Sequence, residues 1–158
     1  MIPYLAKRRP LQEMNLAKAK QPSDLNLSVL EKTVLKEGLP SNKEAEKGLL
    51  GAVLLNNELI PSVLERLDEE DFISFAHKRI FLAIRELYLN GMTVDLVTLK
   101  DKIENSKEGL AGIGGVETLP NLVDGVPFYT NVDHYIELIK EKSILRKLIK
   151  KSYEIINS

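Results

Sequence analysis

Pro40-Ser41-Asn42-Lys43-Glu44-Ala45-Glu46-Lys47-Gly48-Leu49-Leu50-Gly51 is the stretch on which the reading of this chain turns. Ser41 followed three residues later by Glu44 spells a reciprocal capping box, in which the hydroxyl accepts from the Glu44 amide and the carboxylate reaches back to the Ser41 amide. Pro40 fixes the approach to that cap. Behind it Ala45, Leu49, Ala52 and Val53 recur at helical spacing, so a helix over 42–55 offers one face for burial. A polar stretch precedes this point and apolar periodicity follows it, which makes Pro40 the start of a folded head.

Working outward, Asn56 and Asn57 break the pattern. Ile60, Val63, Leu64 and Leu67 then predict a short second helix with Pro61 in its first turn, where a missing amide costs nothing. Phe72, Ile73 and Phe75 are apolar anchors, and Ser74 caps a third helix whose face is Ile80, Phe81, Ile84, Leu87 and Tyr88 and which stops at Asn90-Gly91. Asp95 is placed to accept from the amides of Val97 and Thr98, opening a fourth helix with Leu96, Leu99 and Ile103 on one side. Asp68 to Asp71 reads as a solvated turn, since four consecutive carboxylates cannot converge on one ion from regular structure. Gly109 to Gly115 reads as a flexible connector: no Gly-Lys-Ser or Gly-Lys-Thr follows it and no strand pattern leads into it, as a phosphate-cradling loop requires. His77 and His134 stand far apart with no further ligands near them in sequence, which argues against a metal site.

Residues 116–124 and 130–157 predict a helical hairpin joined by Asp124-Gly125-Val126-Pro127. Its second arm carries Val132, Tyr135, Ile136, Ile139, Leu145, Leu148, Ile149, Ile155 and Ile156 over about 28 residues, or roughly 42 Å at helical rise. A small head cannot cover that length, so the remaining apolar stripe implies a helix from another subunit. The expected fold class is all-α, a compact multi-helix head followed by a helical hairpin ending in a long helix. Three regions follow: an N-terminal tail over 1–38, largely disordered by composition, with a short helix at 25–37; a helical head over 39–108; and a Gly-rich connector and hairpin for subunit pairing over 109–158. Leu119, Leu122, Tyr135, Ile136 and Ile139 are the candidate pairing residues, with the chain's own core as the competing destination for each.

Composition narrows the function. The 158 residues contain no cysteine, which excludes a disulfide scaffold or a cysteine-rich zinc site and permits a reducing compartment. No apolar run approaches the ~20 residues of a membrane span, and the N-terminus lacks the apolar core of a secretory leader; a cytoplasmic protein with no membrane partner is expected. The formal net charge of −1 conceals an uneven distribution, with a net +3 over residues 1–40, −6 over 41–129 and +2 over 130–158. An acidic body is unsuited to wrapping nucleic acid, leaving only the two basic ends for phosphate contacts. Lys140, Lys142, Arg146, Lys147, Lys150 and Lys151 alternate with Glu137, Glu141 and Glu154, the pattern of a solvated helix face. No convergent acid, base and nucleophile suggests an enzyme.

From Pro40 onward the chain resembles the N-terminal domain of the bacterial replicative DNA helicase, the DnaB type. The resemblance rests on Pro40-Ser41, Glu44-Ala45-Glu46, Leu49-Leu50-Gly51, Asp71-Phe72, His77 with Ile80-Phe81, Asp95-Leu96-Val97-Thr98-Leu99, Gly114-Gly115, Pro127, Asn131 and Tyr135 in this order and spacing. It implies an assembly domain whose hairpins pair into dimers, with three dimers forming a hexameric collar that recruits primase during DNA replication. ATP, magnesium and DNA unwinding are implied for the parent helicase's motor domain, and no cofactor is implied for this chain, which reads as a helicase fragment or a motorless relative and, alone, as no enzyme. DNA would be met through the assembled parent. The alternative is a motorless nucleic-acid-binding module using the basic ends. Two features depart from the family pattern: the long basic tail, and Thr118 with Pro120 after the paired glycines. The latter predicts that the first hairpin arm starts late, capped by Thr118 with Pro120 in its first turn, or kinks there.

Overall fold

The structure, a computed structural model, describes Val29 and residues 31–34, 36–127 and 131–158. It divides into two units, Pro40–Leu145 and a second drawn from residues 1–39 and 146–158. The tail up to about residue 24, expected to be disordered, and residues 25–28 of the expected short helix lie outside the described residues. In the smaller unit, residues 31–34 and 36–37 are helical, and the Gly38 amide closes on the Val34 carbonyl at 2.9 Å. Among the described residues there are helices and turns but no strands, as expected for an all-α protein.

The larger unit is built from helix α1 (Lys43–Leu55), α2 (Ile60–Arg66), α3 (Phe75–Leu89), α4 (Leu96–Glu104) and α5 (Thr118–Val123), followed by α6 (Val132–Ile156), which continues into the smaller unit. Most helix starts obey the local chemistry. Ser74 Oγ accepts from the His77 amide at 3.3 Å and opens α3. Asp95 Oδ1 accepts from Val97 and Thr98 at 2.9 and 2.8 Å, while Thr98 Oγ1 accepts from the Asp95 amide at 3.0 Å. Gly91, at φ +72°, ends α3 with its amide on Tyr88 O and the Met92 amide on Leu87 O, both 2.9 Å, a Schellman closure that needs a left-handed residue.

The first cap is corrected by one residue. Asn42, not Ser41, caps α1, its Oδ1 accepting from the Ala45 amide at 2.9 Å. Asparagine caps as well as serine, and two adjacent capping residues leave the register open in sequence. Thr118 is likewise no cap but the first residue of α5; its hydroxyl donates to Ile113 O at 3.0 Å. The late start, with Pro120 in the first turn, is as expected.

α1 is the central element. It packs on α5 and α3, α3 packs on α4, and α4 also meets α5. Leu49, Leu50 and Val53 from α1, Ile80 and Phe81 from α3, Leu99 from α4 and Phe72 from the preceding turn are all 0–1% exposed. The Phe72 and Phe81 rings meet 4.9 Å apart with a 37° tilt. Phe75 and Tyr88, expected inside, lie outside at 63% and 37% exposure, because the buried face of α3 follows Ile80, Ala83, Ile84 and Leu87. The Gly109–Gly115 segment is more than a loose connector: Leu110–Ile113 form a 3-10 turn that buries Ile113. Arg79 donates to the Gly109 carbonyl at 3.4 Å and holds the turn just before it through Ser106 Oγ at 2.6 Å and Glu108 at 3.2 Å. The short α5 has α1 and α4 as its principal neighbours, so the first arm of the expected hairpin belongs to the packed head.

Candidate interaction surface

Two buried carboxylates set the frame on which the surface is built. Glu46 lies on the inward face of α1 and is 1% exposed. It accepts from the Ile73 amide at 2.6 Å and the Ser74 amide at 3.4 Å, and its Oε2 lies 2.7 Å from His77 Nδ1. One side chain thus pins the start of α3 to α1. The two histidines do not come together, and among the described residues no group of three or more His, Cys, Asp or Glu side chains is placed to hold a metal ion.

Asp71 is the second, and it overturns the reading of 68–71 as wholly solvated. It too is 1% exposed, accepting from Ser143 Oγ of α6 at 2.6 Å, from Lys140 Nζ at 3.2 Å and from the Asp68 amide at 2.8 Å. Burial is the largest influence on this carboxyl and pushes its pKa up. The Asp68 amide, the Ser143 hydroxyl and Lys140 together outweigh it and hold the group below its ordinary 3.8. Only Asp71 of the acidic run adjoins the core residue Phe72, and only Ser143 offers a small polar side chain on the inward face of α6.

Of the five candidate pairing residues, Leu119, Leu122, Ile136 and Ile139 are 1–2% exposed in this chain's own core. Tyr135 is half-buried, its ring lying over Gly48. The outward apolar residues of α6 lie further along. In the larger unit they are Ile144 and Leu145, at 49% and 37% exposure; in the smaller, Leu148 and Ile155, at 58% and 73%.

The first pair borders an open groove of about 560 Å³ between the end of α2 and α6, lined by Arg66, Ile136, Glu137, Lys140, Glu141, Ile144 and Leu145. Its two cations are engaged: Arg66 Nη1 lies 2.6 Å from Asp133 Oδ1, and Lys140 is held by Asp71. Among the described residues Glu137 and Glu141, one turn apart and both exposed, have no ion-pair partner. The groove thus has an apolar base with two exposed acidic side chains along one edge.

Helices closed around α1, with α6 carrying exposed apolar positions, define an all-α domain. The model of the DnaB-like helicase N terminal domain matches residues 38–141, and the chain belongs to that family. It is 36% identical over 120 residues to the replicative DNA helicase DnaB of Buchnera aphidicola subsp. Baizongia pistaciae, covering 76% of this chain and 26% of the relative. With the replicative DNA helicase DnaB of Geobacillus stearothermophilus it shares 40% over 116 residues, 73% of this chain and 25% of that one. The chain therefore spans about a quarter of the length of the relatives it matches.

Among solved structures, the N-terminal domain of DnaB helicase from Mycobacterium tuberculosis superposes with a TM-score of 0.70 at 34% identity, covering 75% of this chain and 85% of that one. The corresponding Helicobacter pylori domain, described together with its interactions with primase, gives 0.62 at 23% identity, covering 82% and 93%, and attests the fold. The chain is an N-terminal domain of the replicative-helicase type. Among the described residues no helix is long and apolar enough to cross a membrane.

Proposed function

We propose that this domain assembles a replicative helicase: it pairs subunits through α6, builds three such pairs into a hexameric collar, and presents a docking surface to primase. The observation that carries the reading is the exposure of Leu148 and Ile155 on a helix of a chain in this family. Large aliphatic side chains exposed two turns apart on one helix are stabilised by a partner helix. ATP binding with magnesium, and DNA unwinding, then belong to a motor domain beyond this fold, and the site of action is the cytoplasm.

The primase half of the reading draws support from the Helicobacter pylori domain of the same fold, whose structure was described with its primase interactions. Light scattering on a chromatographed mixture of this chain and the primase of the same organism tests it. A species heavier than either component is expected; two unshifted peaks at micromolar concentrations would contradict it.

A further inference from the structure

The groove between α2 and α6 is not used by the pairing positions Leu148 and Ile155, and its chemistry is of a different kind. Ile136 is buried at 2%, so the groove has an ordered apolar base, and Ile144 and Leu145 stand beside it half-exposed. Arg66 and Lys140, the only cations in its lining, are already committed to Asp133 and Asp71. Those carboxylates neutralise the rim's positive charge and leave Glu137 and Glu141 in excess on consecutive turns. The lining thus pairs an apolar track along α6 with a negative edge along the same helix.

We propose that this groove binds an amphipathic helix of a protein partner, with leucine-type side chains over Ile136, Ile144 and Leu145 and lysine or arginine side chains facing Glu137 and Glu141. The match is of both length and sign. Glu137 and Glu141 lie one helical turn apart, as do Ile136-Lys140-Ile144, so a helix laid along α6 meets apolar and acidic groups at its own repeat. An acidic helix would meet two unpaired carboxylates, and a neutral one would leave them without the counter-charge that sets orientation. A basic flank also replaces solvent around Glu137 and Glu141 without breaking the Arg66–Asp133 or Lys140–Asp71 pairs.

The probe is a synthetic amphipathic helix with leucines on one face and lysines flanking them, titrated into the whole chain and followed by fluorescence anisotropy. The control peptide carries glutamates in place of the lysines. Saturable binding of the lysine peptide is expected, weakened by about tenfold or more in the E137K/E141K variant, with the glutamate peptide gaining affinity for that variant. Ile144→Ser, at an exposed position that keeps the fold, should weaken the lysine peptide in both backgrounds. Circular dichroism of each variant separates loss of the site from loss of the fold.

Equal affinity of the wild-type chain for both peptides would overturn the proposal, as would absence of saturable binding. A peptide of residues 1–28 outcompeting the lysine probe would overturn it in favour of the chain's own basic tail. If E137K/E141K instead dissociates copies of the chain in sedimentation, the groove is occupied by a second copy and the proposal fails. Subunit pairing through Leu148 is read in a separate variant, so the two readings fail independently.

Discussion

Gly51 is where two helices touch backbone to backbone, and replacing it gives a sharp quantitative expectation. A methyl group there would lie 2.7 Å from Val126 Cγ2 and 2.9 Å from the Leu122 carbonyl carbon, and nearer still to the Leu122 oxygen. Ordinary contact begins near 3.4 Å, so clearing the Leu122 oxygen requires the backbones of α1 and α5 to part by more than about an ångström. The Leu122 atoms are backbone and not a flexible side-chain end that can swing away. Overpacking a core costs about 1–3 kcal/mol, with a displaced backbone at the upper end. Alanine returns about 0.5–1 kcal/mol of helix propensity. The net for Gly51→Ala is a loss of about 2 kcal/mol, which for a head of this size lowers Tm by roughly 10 °C.

Gly48→Ala is the internal control, being the same exchange one turn earlier in the same helix. Its methyl would meet only the ring of Tyr135, 2.8 Å from Cε2 and 2.9 Å from Cζ, at the far end of a half-buried side chain that can rotate outward. The propensity gain and the ring displacement offset, leaving stability within about 0.5 kcal/mol of wild type. Thermal melts by circular dichroism, with urea titrations at a fixed temperature, separate the two. A Gly51→Ala protein as stable as wild type, or equal losses at both glycines, would refute the backbone-contact argument.

Three further expectations concern the caps and buried carboxylates. Asn42→Ala should cost about 1 kcal/mol in urea titration while Ser41→Ala changes stability by less than about 0.5 kcal/mol, the reverse of what the sequence motif alone suggests. Glu46→Ala should cost about 3 kcal/mol in the same assay, because the Ile73 amide and His77 lose their shared acceptor inside the protein; Glu46→Gln, which keeps one acceptor oxygen, should cost less. Asp71 has a folded pKa below its ordinary 3.8, so its stabilising contribution is complete above that value and is lost as pH falls through the folded pKa. The stability gap between wild type and Asp71→Asn should therefore be constant at neutral pH and close on acidification below about pH 4, as chemical denaturation across pH would show.

Helix order was legible because the decisive signals are local. Asp95 with Thr98, Ser74 before α3, Pro61 in the first turn of α2 and Gly91 at the end of α3 each act within one turn of chain, and each occupies its expected role. The Ser41 cap misread was a contest between neighbours that local chemistry leaves tied. What the sequence could not convey is which long-range neighbour a residue meets. The acidity of Asp71 reads as solvation, and Glu46 has no assigned partner, until Ile73, His77, Lys140 and Ser143 are brought against them. A carboxylate in the apolar register of α1, three residues ahead of Leu49, was the available clue for Glu46.

The interaction surface shows the same limit. Apolar periodicity in α6 states that one face is buried but does not name the burying surface. Ile136, Ile139 and Leu148 are equivalent letters in that pattern, yet the first two enter the head's core and the third is 58% exposed. The proposed pairing face is accordingly placed on the exposed residues Leu148 and Ile155 of α6.

Sedimentation equilibrium of the chain over a wide concentration range, beside Leu148→Asp and Ile139→Asp, tests the assembly role most directly. The wild-type chain should form dimers or larger multiples, Leu148→Asp should be a monomer with an unchanged helical spectrum, and Ile139→Asp should lose the fold, since its side chain is 1% exposed. A wild-type chain that stays monomeric at every concentration, or a Leu148→Asp protein that assembles as wild type does, would contradict pairing through α6.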